Sequence, residues 1–179
     1  MVRPSVHSIE LESKKGRRLW EAAADPARAV GIRVVQLRIG IVLTPDGGAL
    51  GQMLLPFRMG VGGAIGSGRQ YMSWVAIDDV MTSVLHVLRN EDLRGAVNLV
   101  APNAVSNAEF TKTLGRVLRR PTVLPMPAFA ARVAFGEMAD ALLLASANVA
   151  PTRLEETGFK FGYPILEHAL RHVLRLRGK

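Results

Sequence analysis

Apolar residues spaced three and four apart between Lys14 and Val30 (Leu19, Trp20, Ala23, Ala24, Ala27, Val30) mark one face of a helix. Pro26 kinks or divides it, and Gly31 is its stop. The period then changes. Ile32 to Leu43 is rich in β-branched residues and nearly continuous in its apolar second half, the pattern of a strand covered on both faces. Such a strand needs neighbours, and the chain before it supplies none. The turn Thr44-Pro45-Asp46-Gly47-Gly48 follows, then a short apolar helix over 49–59 interrupted by Pro56.

Glycines crowd the next stretch, Gly60 to Gly68, and Gln70 to Ile77 reads as a second strand. Asp78 or Asp79 caps a helix running to about Asn90, with Val80, Val84, Leu85 and Leu88 inward. Gly95–Val100 is a short strand. Ser106-Asn-Ala-Glu109 is a capping box opening a helix that Pro121 ends. Beyond it come a short strand over Thr122–Met126, an Ala-rich helix from Pro127 to near Ala145, and a helical turn at Arg153–Glu156 stopped by Gly158. A last helix runs from Pro164 to about Arg175. The pattern divides into a poorly ordered start (1–13), an α/β part (14–100) and a smaller α/β lobe (101–179).

Composition narrows the classes. With 49% hydrophobic residues among 179, the chain can bury a core. No apolar run approaches the roughly 20 residues that span a bilayer, so no membrane is expected as a partner. The start carries no apolar signal region, and the absence of cysteine excludes disulfides and fits a reducing cytoplasm. The net charge of +8 raises nucleic acid as a partner, but the basic residues are scattered over helix faces and no nucleic-acid-binding motif accompanies them.

Candidate chemistry is sparse. Gly60, Gly62 and Gly66 imitate a phosphate-cradling loop, but that device needs a strand before it and a helix N-terminus after it. Here a helix precedes and a strand follows, so a mobile loop lining a ligand cleft is the expectation. His86 stands alone in its helix, and His168 and His172 share a helix face without an acidic third ligand, so no metal site is expected.

Gly66-Ser-Gly-Arg-Gln-Tyr-Met-Ser-Trp-Val-Ala-Ile-Asp-Asp-Val80 resembles a signature of extended short-chain dehydrogenases/reductases. Leu37–Gly48, Met53–Gly63 and the ending Arg153–Leu170 are similar to one atypical branch, the "epimerase family", which closes in a short domain of unknown function. The resemblance implies an incomplete Rossmann-like α/β fold: the last sheet strands plus a small substrate lobe. It also implies NADP or NAD as cofactor, yet the family's glycine fingerprint and catalytic tyrosine fall upstream of this sequence. The chain is thus expected to be the C-terminal portion, inactive alone, with no catalytic residue of its own. The absent part is on the order of 100–150 residues by domain size.

On this resemblance Lys15, Arg38 and Thr44 lie on the cofactor side, Lys15 as a ribose contact and Arg38 positioning the 44–48 turn. Pro45, Gly47, Gly48, Arg58, Arg69, Gln70 and Trp74 face a small-molecule substrate in the complete protein. Asp78 and Asp79 are structural, with Asp79 anchoring the loop 60–70. Two departures bear on substrate. Met72 stands where the sugar-nucleotide enzymes carry a diphosphate-clamping arginine, and Ala76 where they carry histidine. Arg69, or else Arg58, is the candidate replacement, since a guanidinium forks onto phosphate oxygens. The alternative reading is a non-catalytic binding or regulatory module that uses an exposed sheet edge for a partner chain, for itself or for the missing lobe.

Overall fold

A computed structural model describes residues 16, 20–123, 125 and 146–175. Of the first expected helix, Lys14, Lys15 and residues 17–19 lie outside the described residues, as does the whole of the expected Ala-rich helix. What is described of the first helix is divided as its proline requires. A turn at 23–24 precedes α1 (Asp25–Ala29), with Pro26 in its first turn, where a missing N–H costs nothing.

The strand over 32–43 is two strands, β1 (Val35–Ile39) and β2 (Ile41–Leu43), and each has a partner later in the chain. β1 pairs in parallel with β5 (Gly95–Leu99), Val35 opposite Gly95 and Ile39 opposite Leu99. β2 pairs in parallel with β4 (Trp74–Ala76). Gly40 is the fork between them. Its N–H donates to the Leu99 carbonyl at 3.2 Å, and the next N–H, that of Ile41, donates to the Ser73 carbonyl at 2.8 Å. Two successive donors on one side make a bulge, and β4 enters the opening between β2 and the end of β5. The Ala101 N–H closes its far side by donating to the Trp74 carbonyl at 2.6 Å. A Cβ at Gly40 would sit 2.5 Å from the Ser73 oxygen and 2.8 Å from a Val100 methyl, so the fork requires glycine.

α2 (Gly48–Arg58) fills the connection after β2, and Pro56 is accommodated in its last turn. β3 (Tyr71–Met72) pairs antiparallel with β6 (Val105–Ser106), an element the hydropathy pattern does not mark. α3 (Ile77–Arg89) follows β4 directly. Its inward residues are Val80, Ser83, Val84 and Val87, whereas Leu85 and Leu88 are exposed, contrary to expectation. The helical face is rotated because Val87, not Leu88, meets the sheet. α4 (Asn107–Leu118) starts at the predicted cap, with the Glu109 N–H donating to Ser106 Oγ at 3.2 Å. Thr122 and Val123 belong to no strand. α5 (Thr152–Glu156) and α6 (Leu166–Arg175) complete the described chain.

Two apolar clusters result. The larger joins β2, α2, Trp74, Phe110 and Leu114 to Leu166, Ala169, Leu170 and Val173 of α6. The smaller packs α3 and α5 against β1 and β5, with Val97, Leu99, Leu154 and Phe159 at its centre. Among the described residues no helix is long and apolar enough to cross a membrane.

Candidate functional site

The carboxyl ends of β2 and β4 lie side by side, and open α/β sheets bind ligands at that edge. β2 delivers the turn 44–48 there. Pro45 is buried, Thr44 and Gly47 are half-buried and Gly48 is exposed. The Thr44 hydroxyl accepts from the Asp46 N–H at 3.4 Å, and the Gly51 N–H donates to the Gly47 carbonyl at 3.1 Å, so α2 grows straight out of the turn. Arg38 does not position this turn. Its guanidinium instead forks onto the Glu21 carboxylate at 2.8 and 3.0 Å. Lys15 lies outside the described residues.

The glycine stretch is a fastened loop. Asn107, fully buried at the start of α4, accepts the Ile65 N–H through Oδ1 at 2.7 Å, and its own N–H donates to the Gln70 carbonyl at 2.9 Å. Gln70 turns inward and donates from Nε2 to the Ile65 carbonyl at 2.9 Å. The Gly68 N–H donates to Ile65 O, and the Gly68 carbonyl accepts from Ala108 N–H. Gly62 is glycine because the Phe57 ring lies where a Cβ would be, at 2.4 Å. These backbone donors are consumed inside the protein, and β3 follows where a phosphate loop needs a helix N-terminus. The glycine loop therefore lacks the strand-then-helix setting that a dinucleotide pyrophosphate needs.

Two of the sequence-predicted substrate contacts are therefore interior residues. Trp74 is wholly buried, its indole N–H donating to the Asn103 carbonyl at 3.0 Å, and Gln70 braces the loop. Arg58, at the end of α2, and Arg69, on the loop, are exposed, and no described residue pairs with either guanidinium.

Neither aspartate caps α3. The cap position is Ala76, and no side chain bonds it. Asp79 is buried at 2% exposure and accepts the N–H groups of Gly162 at 2.7 Å and Tyr163 at 3.0 Å. It anchors the turn before α6, not the glycine loop. Asp78 meets His172 Nε2 at 3.1 Å, and the His172 ring stacks on Tyr163 with centroids 4.2 Å apart. His168 is exposed and His172 half-buried. His86 bonds Thr157 Oγ1 at 2.9 Å and packs edge-on against Phe159. No group of residues among those described can hold a metal ion.

Sequence reasoning missed Ser73. Its hydroxyl donates to the Ala147 carbonyl at 2.8 Å and accepts the Val149 N–H at 3.0 Å, while the Ala147 N–H donates to the Tyr71 carbonyl. Residues 146–149 thereby lie along 71–73. Nothing in a serine flanked by apolar residues signals a partner 74 positions away.

Comparison with known proteins places this geometry. The UDP-glucose 4-epimerase of Thermus thermophilus, solved in complex with NAD, superposes with a TM-score of 0.65 over 93% of this chain and 53% of its own. At 18% identity this establishes the fold alone. The fold is that of the Rossmann-like, NAD(P)-binding epimerases and reductases.

The particular kinship is closer. The human epimerase family protein SDR39U1, whose structure was determined with NADPH, is 40% identical with a TM-score of 0.74, covering 80% of this chain and 49% of that one. An epimerase family protein of Mycobacterium bovis is 45% identical over 154 residues, 86% of this chain and 51% of the relative. Residues 126–173 match the model of a domain of unknown function, DUF1731. The homologues are thus epimerase family proteins. It spans about half the length of the curated relatives it matches.

Proposed function

We propose that this chain supplies the substrate side of an NAD(P)-dependent epimerase- or reductase-like protein and performs no hydride transfer alone. The ligand rim is the carboxyl edge of β2 and β4, with Thr44, Pro45, Gly47 and Gly48 on the turn and Arg69 and Arg58 as anion contacts. The observation that carries the reading is the state of the glycine loop. The N–H groups of Ile65 and Gly68 are bonded internally, to Asn107 Oδ1 and to the Ile65 carbonyl, and β3 follows the loop, so this glycine-rich stretch lacks the helix N-terminus of a dinucleotide cradle. The kinship with a protein solved with NADPH supports a nicotinamide dinucleotide as the cofactor of the complete protein. Hydride transfer also needs a group that exchanges a proton beside the nicotinamide. Both tyrosines of the chain are placed elsewhere, Tyr71 on β3 and Tyr163 stacked on His172.

Titrating the purified chain with NADPH, followed by cofactor fluorescence, tests this. No saturation up to the low millimolar range is expected, and saturable binding would overturn the reading. A second reading, a non-catalytic module that associates with another chain, is favoured by one observation: no described strand pairs with the outer edge of β1.

A further inference from the structure

We infer that the paired outer faces of α4 and α6 dock a polyanion, the phosphate backbone of a nucleic-acid duplex, without regard to base sequence. This surface is independent of the cofactor reading. It belongs to the larger apolar cluster, which takes no residue from β1 or β5.

Basic residues that are scattered along the sequence are gathered here by the fold. α4 carries Lys112 and Arg116 one turn apart, and Arg119 and Arg120 follow its last turn; α6 carries Arg171 and Arg175, also one turn apart. The helices lie side by side with Phe110, Leu114, Leu170 and Val173 turned inward. Glu167 ties their outer sides together. Its carboxylate accepts from Arg116, 51 positions away, at 2.7 Å, and from Arg171 at 2.7 and 3.0 Å. Glu109 and Glu167 are the only acids within 107–120 and 166–175, and the cationic excess of these segments is half of the chain's net charge of +8. Lys112, Arg119, Arg120 and Arg175 are exposed, and among the described residues no carboxylate pairs with them. Arg119 is held there at a cost. It sits at φ 55° and ψ 45°, the left-handed position after a helix that glycine takes without strain, and it is the one described non-glycine residue with a positive φ.

The kind of polyanion follows from what accompanies the cations. None of the exposed large apolar side chains among the described residues lies within 107–120 or 166–175. A helix that lies on a membrane buries an apolar face in the lipid, and a protein interface has an apolar centre; this surface offers neither. Single strands are held largely by stacking on exposed rings, and the aromatic residue of these two segments, Phe110, is 1% exposed. A duplex backbone asks only for cations on a rigid support, and guanidinium groups fork onto its phosphate oxygens.

The test is fluorescence anisotropy of a labelled DNA duplex of mixed sequence, about two helical turns long, titrated with the full chain. If the unpaired cations neutralise about four phosphates, affinity should fall about 150-fold between about 50 and 200 mM salt. Lys112→Glu with Arg175→Glu should weaken binding about tenfold or more. Arg89→Glu with Arg94→Glu makes the same change in net charge at exposed positions off this surface, and should weaken it less than about threefold. Arg119→Gly should weaken binding without lowering the melting temperature, because it removes a cation and relieves the left-handed backbone. Absent binding at about 50 mM salt, a salt dependence near zero, or equal losses in the two double variants would each overturn the inference. So would tighter binding of the separated single strand, of phosphatidylserine vesicles or of polyglutamate.

Discussion

Asp79→Asn isolates the contact that closes the fold. The wild-type carboxylate is buried and accepts two backbone N–H groups, from Gly162 and Tyr163, 83 and 84 residues further along the chain. A hydrogen bond to a charged group contributes about 1.5–3 kcal/mol net. Asparagine retains one acceptor oxygen, so one bond survives in weaker, neutral form. The other N–H then faces an amide NH2, donor against donor. The position also lies in the first turn of α3, where a negative charge is favoured by about 0.3–1 kcal/mol. The expected loss is about 2–3 kcal/mol, or about 4–12 °C in Tm for a chain of this size. The neighbouring Asp78→Asn removes a half-exposed pair with His172, a class of contact that contributes about 0–1 kcal/mol. Urea denaturation of both variants, with hydrogen exchange at Gly162 and Tyr163, measures the difference. Equal losses for the two variants, or unprotected amides at 162 and 163 in the parent, would refute the reasoning.

Gly40→Ala should destabilise by about 2 kcal/mol or more, since the added methyl meets a backbone oxygen that cannot yield without breaking the fork; a variant with an unchanged urea midpoint contradicts this. Asn107→Ala leaves the Ile65 N–H buried and unpaired, about 1–3 kcal/mol, and limited proteolysis should then cut within 60–70; an uncut loop counts against the fastening described above. The Glu167 carboxyl is held below the usual glutamate range, first by the hydrogen bonds from Arg171 and then by those from Arg116. Its contribution is therefore present above the ordinary glutamate range and is lost as pH falls through the lowered value. The stability gap between the parent and Glu167→Gln should narrow on acidification below that range, and a gap that stays constant down to about pH 3, below the ordinary glutamate range, argues against the pairing.

What was legible in the sequence was local. The serine cap at Ser106, the stop at Gly158 and the split at Pro26 are decided by neighbours within a few residues, and the structure keeps them. The strand over 32–43 was also visible, but its break was not. Gly40 looks like any glycine in an apolar run, and only the approach of Ser73 and Val100 explains it. The site suffered most from this. Trp74 and Gln70 carry the polar tips expected of ligand contacts, yet their partners, Asn103 and Ile65, are protein carbonyls. The glycine loop owes its composition to the Phe57 ring and to the start of α4, which sequence spacing does not bring together. Helix phase was lost for a similar reason: Leu88 is more apolar than Ser83, but the sheet receives the face that Val80, Val84 and Val87 share.

The attachment of α6 has a consequence for synthesis on the ribosome. Leu166, Ala169, Leu170 and Val173 sit in the same cluster as Leu43, Leu50, Met53 and Trp74, and among the described residues the carboxylate of Asp79 finds its partners at 162 and 163. Translation proceeds at about 5–20 residues per second, so residues 41–79 wait several seconds in the nascent chain before the residues that cover them are made. During that interval β2 and β4 have an open apolar flank, which closes only once the 162–173 segment has been made.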